Sequence, residues 1–423
     1  MNFHILNVRD SRGDLQELWI EQGCVALTPS KSVSYTEIDG EGSTLFPGFV
    51  DLHTHLREPG REDAETVLSG SQAAAAGGYT AISAMPNTLP VADTAGVVEQ
   101  VFRLGRSHNL CDVFPIGAVT LGQNGQHLAE LAAMNQSEAR VRMFSDDGHC
   151  VADPLVMRRA LEYVKTFDGI IAQHAQDPRL TESAQMNEGE VSAKLGLKGW
   201  PAVAEEAIIA RDVLLAEHVD SRLHICHLTT AGGVEIIRNA KERGIKVTAE
   251  VTPHHLLLTD DLVEGYDPVY KVNPPLRTRS DVVALRAGLA DGTIDIIATD
   301  HAPHPQEAKD CEWSAAAFGM LGLETAFSIG YLTMVKSGLM TLDGLVERMS
   351  TKPAAIAKYE SHGEIRPGAP ANLTLINLER EWKVDRALLH SKSRNTPFHD
   401  MTLPGLVMKT FHNGGLVFDR KAR

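Results

Sequence analysis

Gly48-Phe-Val-Asp-Leu-His-Thr-His-Leu-Arg57 begins as a short apolar run and ends on two histidines and an arginine. A run this short, opened by glycine, reads as a buried strand rather than a helix. Seven further runs of the same texture follow: Tyr79–Ala84, Val113–Val119, Arg140–Phe144, Gly169–Gln173, Arg222–Cys226, Lys246–Val251 and Ile294–Ala298. Helical stretches lie between most of them. The clearest is Pro201-Ala-Val-Ala-Glu-Glu-Ala-Ile-Ile-Ala-Arg-Asp-Val-Leu-Leu-Ala-Glu-His218, with proline at the first helical position, acids in the first turn and apolar residues at helical spacing. Gly77-Gly78 and Gly232-Gly233 read as helix ends or turns. Strand–helix alternation through eight strands predicts an α/β fold with the parallel sheet closed as a (β/α)8 barrel. An open doubly wound sheet is the competitor, but no Gly-x-Gly-x-x-Gly follows the first run.

Outward from the barrel, both flanks turn β-rich. Phe3–Val8 and Glu17–Ile20 precede it, and Ala371–Leu378, Leu406–Phe411 and Leu416–Phe418 follow it. His412-Asn-Gly-Gly415 joins the last two, and Asn-Gly between such runs is a hairpin signal. Chain ends often lie close together. The expected division is therefore a small β-sandwich domain built from 1–46 plus 365–423, and a barrel over 47–364.

The 423 residues are 43% hydrophobic and 22% charged, an ordinary globular composition that excludes disorder and fibrous classes. With 40 lysines and arginines against 55 acids, the net charge of −15 argues against a nucleic-acid partner. No apolar run approaches the roughly 18 residues of a membrane span, and Arg9 and Asp10 interrupt any signal-peptide core. Five scattered cysteines, never paired as Cys-x-x-Cys, point to a reducing compartment and a cytoplasmic protein.

Barrel chemistry sits at the C-terminal ends of the strands. There the chain places His53, His55 and Arg57, then Asn87, Ser145-Asp146-Asp147, His174, His227, and Asp300 with His301 and His304. His53 and His55, two apart on a strand, face the same way. Imidazoles and carboxylates converging at one rim suit zinc or a related divalent ion. Six ligands are too many for one tetrahedral zinc and suit two metals sharing a bridging carboxylate. Asp147 is the candidate bridge, with Asp146 its neighbouring alternative, because adjacent strand residues face opposite ways.

His53-Thr-His55-Leu-Arg57-Glu-Pro-Gly60, Ala84-Met-Pro-Asn87-Thr88, Phe144-Ser-Asp-Asp147-Gly148, Ala249-Glu-Val-Thr-Pro-His-His255, Asn273-Pro-Pro-Leu-Arg277 and Ala298-Thr-Asp300-His-Ala-Pro-His304 together resemble the motifs of class I dihydroorotases, of the amidohydrolase superfamily. The resemblance runs over nearly the whole chain. It implies reversible ring closure of N-carbamoyl-L-aspartate to (S)-dihydroorotate, the third step of pyrimidine synthesis. By position it implies one metal on His53 and His55, another on His174 and His227, Asp147 as their bridge, and Asp300 as the catalytic aspartate that also touches the first metal. It implies substrate contacts from His55, Arg57, Asn87, Asn273 and His304, and backbone contacts from a loop at Phe318-Gly319. Ala175-Gln176-Asp177 departs from the Cys-Glu-Glu that relatives often carry after the fifth-strand histidine. The expected partners are the small-molecule substrate, a second copy of the chain as a homodimer, and aspartate transcarbamoylase as a further candidate.

The chemistry agrees with that reading. A substrate carboxylate calls for an arginine fork, and Arg57 is placed to supply it. The amides of Asn87 and Asn273 can each donate and accept, which suits a ureido acid. Asp300 can take a proton from attacking hydroxide and hand it to the leaving ring nitrogen. His224 reads as packing against a helix, His301 as pointing away from Asp300, and His254-His255 as packing or hydrogen-bonding residues. Cys111 and Cys226 read as core, and Cys311 as a plain loop residue. Rival functions are another cyclic-amide hydrolase (dihydropyrimidinase, hydantoinase or allantoinase), an inactive scaffold for aspartate transcarbamoylase, and a metal-storage protein. The first group usually bridges its metals with a carboxylated lysine where this chain has Asp147, and the inactive scaffold would lack metal histidines that are all present here.

Overall fold

The computed structural model describes residues 2–420. Met1 and residues 421–423, which fall within the expected β domain, lie outside the described residues. The chain opens with five strands, β1 (Phe3–Arg9), β2 (Leu15–Glu21), β3 (Cys24–Ala26), β4 (Thr36–Asp39) and β5 (Thr44–Pro47).

The barrel strands then alternate with helices: β6 (Phe49–Thr54), β7 (Tyr79–Ala84), β8 (Asp112–Pro115), β9 (Met143–Phe144) and β10 (Ile170–Gln173). After β10 the chain makes an excursion through a two-stranded parallel ribbon, β11 (Met186–Asn187) and β12 (Gly199–Trp200). It returns as β13 (Arg222–Ile225), β14 (Val247–Val251) and β15 (Ile296–Ile297). Strands β6–β8 pair in parallel, as do β9, β10, β13, β14 and β15 in that spatial order. Bridges Gly117↔Phe144 and Thr54↔His301 join the two arcs, so the sheet closes as a barrel.

All eight predicted barrel strands are present, but most are shorter than their apolar runs, β8, β9 and β15 the most. Arg140 takes a left-handed φ of 47°, and Val141 N bonds back to Met134 O, so β9 begins only at Met143. Ile294 N is likewise spent on Gly288 O of the preceding helix. The helix read from Pro201 starts at Val203, leaving Pro201 and Ala202 in the turn before it. Gly232-Gly233 lie inside the first turn of helix Ala231–Glu242, whose cap, Thr230 Oγ1, accepts from Gly233 N.

The interior divides into layers. Val98, Val113, Leu161, Ile171, Ile209, Ile237, Val247 and Leu289 pack between strands and helices. Val50, Leu52, Ala81, Met143, Ile170, Ala172, Cys226 and Ile296 form a separate cluster that fills the lumen. Burying the valine, leucine, isoleucine and methionine side chains among them stabilises by about 1.5–3 kcal/mol each, and the lumen cluster forms an apolar floor for the polar rim.

Two long strands and a short one complete the molecule: β16 (Leu373–Lys383), β17 (Thr402–His412) and β18 (Gly415–Asp419). They join the N-terminal strands in one sheet of order β18-β17-β16-β5-β1-β2-β3, with β4 also on β1. Asn413 and Gly414 turn the β17–β18 hairpin with φ of 48° and 78°, the signs a type I′ turn needs.

Candidate functional site

Four histidine side chains meet at one carboxylate. Asp147 Oδ1 lies 3.5 Å from His53 Nε2, 3.2 Å from His174 Nδ1 and 3.2 Å from His227 Nε2, while Oδ2 lies 3.3 Å from His55 Nε2. All five side chains are buried. Asp300 Oδ1 stands 3.1 Å from His55 Nε2 and 3.5 Å from His53 Nε2. Asp146 turns the other way, accepting from the backbone N–H groups of Val119 (2.8 Å) and Thr120 (3.0 Å). The strand-end ambiguity thus resolves to Asp147. His227 and Asp300 hold left-handed φ of 30° and 45°, unusual for non-glycine residues, and such strain gathers at functional sites.

The outer ring nitrogens explain why the inner ones converge. His53 Nδ1 is 2.5 Å from Glu250 Oε1, His55 Nδ1 is 2.9 Å from Asn87 Oδ1, and His174 Nε2 is 2.7 Å from Gln176 Oε1. Each partner atom can only accept, so each of these nitrogens carries the proton and donates. The other nitrogen then presents its lone pair to the centre, the orientation metal-binding histidines require. His53 Nε2 is buried there with no hydrogen-bond partner, and His174 Nδ1 and His227 Nε2 face each other at 2.9 Å. Lone pairs at such separations fit a cation between them. Two overlapping ligand groups result, His53–His55–Asp147 and Asp147–His174–His227. A third, His53–Cys226–Glu250, shares His53 but is reached through the nitrogen that Glu250 already holds.

Electrostatics follow from the crowding. Burial alone would lower the His53 imidazole, but the carboxylates of Asp147, Glu250 and Asp300 outweigh it and hold it well above its ordinary value. Burial likewise opposes ionisation of Asp300, yet His53 and His55 bring it down to about 2, so its carboxylate is charged. Asp147 is held well below the usual range, with burial overcome by His53, His174 and His227.

A second group lies along the same rim. Arg57 is buried at 8% exposure with φ 63°, and its Nε donates to Pro303 O at 3.1 Å. His304 Nε2 donates to Phe318 O at 2.7 Å. Arg57 Nη2, 3.5 Å from that same nitrogen, therefore makes only a contact and keeps its N–H groups for another acceptor. Burial, with Arg57 and Lys309 nearby, pushes His304 down to about 3, so it is neutral. Gly319 holds φ 149°, and a Cβ there would come within 2.8 Å of both Ala302 O and His304 Nε2, so only glycine fits.

The two asparagines are more specialised than their amide chemistry requires. Asn87 spends its oxygen on His55, leaving the amide N–H groups. Asn273 donates to Gln176 Oε1 at 3.3 Å and keeps Oδ1 buried without a partner. The site thus offers one free amide donor and one free amide acceptor.

The structure brings His53, His55, Asp147, His174, His227 and Asp300 together in the first group and Arg57, His304, Phe318 and Gly319 in the second, with Asn87 and Asn273 joined to the first through His55 and Gln176. His224 needs correction: it does not pack against a helix. It pairs with Ala172 across β10–β13, faces the lumen, and sits 2.9 Å from Glu250 Oε2 and 2.8 Å from Thr248 Oγ1. His301 does turn away from Asp300, toward Glu65 Oε2 at 3.3 Å. His255 is hydrogen-bonded to Thr252 Oγ1 and Pro274 O, whereas both ring nitrogens of His254 are buried without a partner. Glu250 and Gln176, which orient two of the histidines, were missed. A lone carboxylate inside apolar Val247–Val251 was the available signal for Glu250.

An eight-stranded barrel with clustered histidines and carboxylates at its rim defines a metal-dependent cyclic amidohydrolase. The L-hydantoinase (dihydropyrimidinase) of Arthrobacter aurescens superposes with a TM-score of 0.86 at 26% identity, over 99% of this chain and 96% of that one. The dihydropyrimidinase of Brevibacillus agri gives 0.84 at 22% identity over 100% and 96%, a likeness of fold. The chain belongs to the dihydroorotase family: it is 66% identical to a dihydroorotase of Streptomyces coelicolor over 378 residues, 89% of this chain and 88% of that one. It is 52% identical to a dihydroorotase of Mycobacterium tuberculosis over 406 residues, 95% and 94% of the two chains. A family model described as dihydro-orotase-like matches residues 42–232.

Proposed function

We propose that the protein catalyses the reversible cyclisation of N-carbamoyl-L-aspartate to (S)-dihydroorotate, the third step of de novo pyrimidine synthesis. The observation that carries this reading is the Asp147 carboxylate at the meeting point of four histidines. Hydantoinase-type relatives usually place a carboxylated lysine there. The likeness to hydantoinases makes their chemistry the second reading, and the arginine on the rim separates the two.

His53 and His55 would hold one divalent ion, with Asp300 in contact, and His174 and His227 the other, with Asp147 between them. Zinc suits this nitrogen-and-oxygen donor set, at two ions per chain. When bound, such ions supply Lewis-acid polarisation of the ring amide carbonyl and a more acidic water. Arg57 binds the substrate carboxylate through a planar pair of N–H donors. Asn87 donates to the substrate and Asn273 accepts from a ring N–H, the one polarity each has left. Asp300 accepts the proton of the attacking water and passes it to the leaving ring nitrogen, and returns it in cyclisation. Neutral His304 and the backbone at Phe318 and Gly319 close over the ring, while His55 lines the pocket beside Asn87.

We assign 1–46 plus 365–423 to a β domain and 47–364 to the catalytic barrel, in keeping with the single sheet built from both ends. The five free cysteines accord with a cytoplasmic location. A homodimer is the proposed assembly and aspartate transcarbamoylase a candidate partner; sedimentation of the protein with and without that enzyme checks both. The activity is tested by turnover of dihydroorotate by zinc-loaded protein, with hydantoin and allantoin as controls. Turnover of dihydroorotate alone is expected; preference for hydantoin would favour the second reading.

A further inference from the structure

His304 and Gly319 are ends of one loop between β15 and helix Ala326–Gly330, and the only regular element between them is the short turn Gln306–Ala308. A segment this irregular needs a holding device if its backbone is to face a ligand in one geometry. Two buried lysines stand at that place. Lys309 is 6% exposed, and its Nζ donates to the carbonyls of Lys271 (3.0 Å), Ala317 (2.8 Å) and Gly319 (3.1 Å). An ammonium has three N–H donors and no acceptor, so these carbonyls use all of them. Asp267 attracts the Lys309 ammonium but does not offset its burial. Lys271 sends its own Nζ to Trp313 O (2.6 Å) and Ser314 O (3.3 Å) and lies 4.5 Å from the centre of the Phe318 ring. Its carbonyl accepts from Gly319 N at 2.9 Å as well as from Lys309.

A buried cation without a counter-ion is costly. Burial, with Lys271 beside it, pulls Lys309 down to about 7. Its hydrogen bonds to three backbone carbonyls hold the chain around it in one conformation. The Gly319 carbonyl that it grips is also held by Asn395 Nδ2 (3.1 Å), and the neighbouring Phe318 carbonyl is the one His304 donates to.

We propose that Lys309 is a positioning residue: its ammonium, seated on three carbonyls, fixes the Gly319 backbone and the 310–319 segment in the geometry that meets the substrate ring. The role rests on the reading that Phe318 and Gly319 contact the substrate. Lys309 touches neither the histidine–aspartate centre nor Arg57, so its loss leaves metal binding and the proton shuttle in place and weakens substrate capture.

Lys309→Met keeps the length and removes the donors. Losing charge-assisted hydrogen bonds of this kind costs on the order of tenfold or more. The expected result is KM for dihydroorotate raised about tenfold, kcat much less affected, metal content unchanged, and faster amide exchange in 310–319 only. Lys309→Gln, with two N–H donors, should fall between. Unchanged exchange in 310–319 overturns the clamp. Faster exchange with unchanged KM overturns the positioning role and shows that Phe318 and Gly319 are not substrate contacts, while dihydroorotate turnover itself would still stand. Should neither variant fold, exchange in the wild-type protein decides: an unprotected 310–319 segment refutes the clamp.

Discussion

Replacing Glu250 separates orientation of a ligand from the ligand itself. Its carboxylate receives His53 Nδ1 at 2.5 Å, His224 Nε2 at 2.9 Å and the His227 backbone N–H at 3.2 Å, all buried. Glu250→Gln preserves shape and one acceptor oxygen but removes the charge. A hydrogen bond to a charged group contributes about 1.5–3 kcal/mol against about 0.5–1.5 for a neutral one. The His53 contact should therefore lose about 1–1.5 kcal/mol, and loss of an orienting partner typically weakens a metal site about 10–100-fold. His224 can adapt by donating through Nδ1 to Thr248 Oγ1, 2.8 Å away, so stability should change little. Glu250→Leu is different, because it leaves two ring nitrogens and a backbone N–H buried without partners, at about 1–3 kcal/mol each. The assays are metal dissociation constants by chelator competition and denaturant unfolding of the metal-free protein. Glutamine should cost metal affinity alone, and leucine both affinity and stability. A glutamine variant that binds both ions as tightly as wild type would refute the orienting role.

Three further outcomes follow from the site and its surroundings. Asp300→Asn should keep the fold and much of the metal but lose about 10²–10⁴ in rate in both directions; near-normal turnover in a metal-replete sample would move the proton shuttle elsewhere, with His304 the first suspect. Arg57→Lys keeps charge but loses the planar fork, so kcat/KM for dihydroorotate should fall while that for uncharged cyclic amides barely moves; an unchanged value for dihydroorotate removes Arg57 from carboxylate binding. Asp212, raised to about 6 by burial despite Arg211 and Gln173, keeps a proton in the folded state that the unfolded chain gives up near 4. Its contribution to stability therefore falls as pH rises from about 4 to 6, and the difference in unfolding free energy between wild type and Asp212→Asn should shrink or change sign across that window; a constant difference contradicts it.

Much of this molecule was legible because strands impose alternation. The apolar runs located the eight barrel strands, and parity alone said that only one of Asp146 and Asp147 could enter the site. Asn413-Gly414 marked its hairpin because few residue pairs accept two left-handed conformations in succession. What stayed hidden depends on contacts between distant elements. Glu250 and His53 are 197 positions apart, and nothing local pairs them. Gln176 was visible as a departure, but not as the acceptor that fixes His174 while engaging Asn273. His224 was misplaced because parity was counted from His227, which leaves the strand with φ 30° and breaks the alternation. Lys271 and Lys309 carry no sequence signal of burial, since lysine is ordinarily a surface residue.

In the proposed reaction, ions gathered around Asp147 perform the chemistry on dihydroorotate. Stepwise addition of zinc to metal-free protein, with dihydroorotate turnover followed at each step, tests it most directly. Activity should rise from near zero and level off at close to two equivalents per chain. Full turnover by protein verified to contain no metal would rule out that role for the ions.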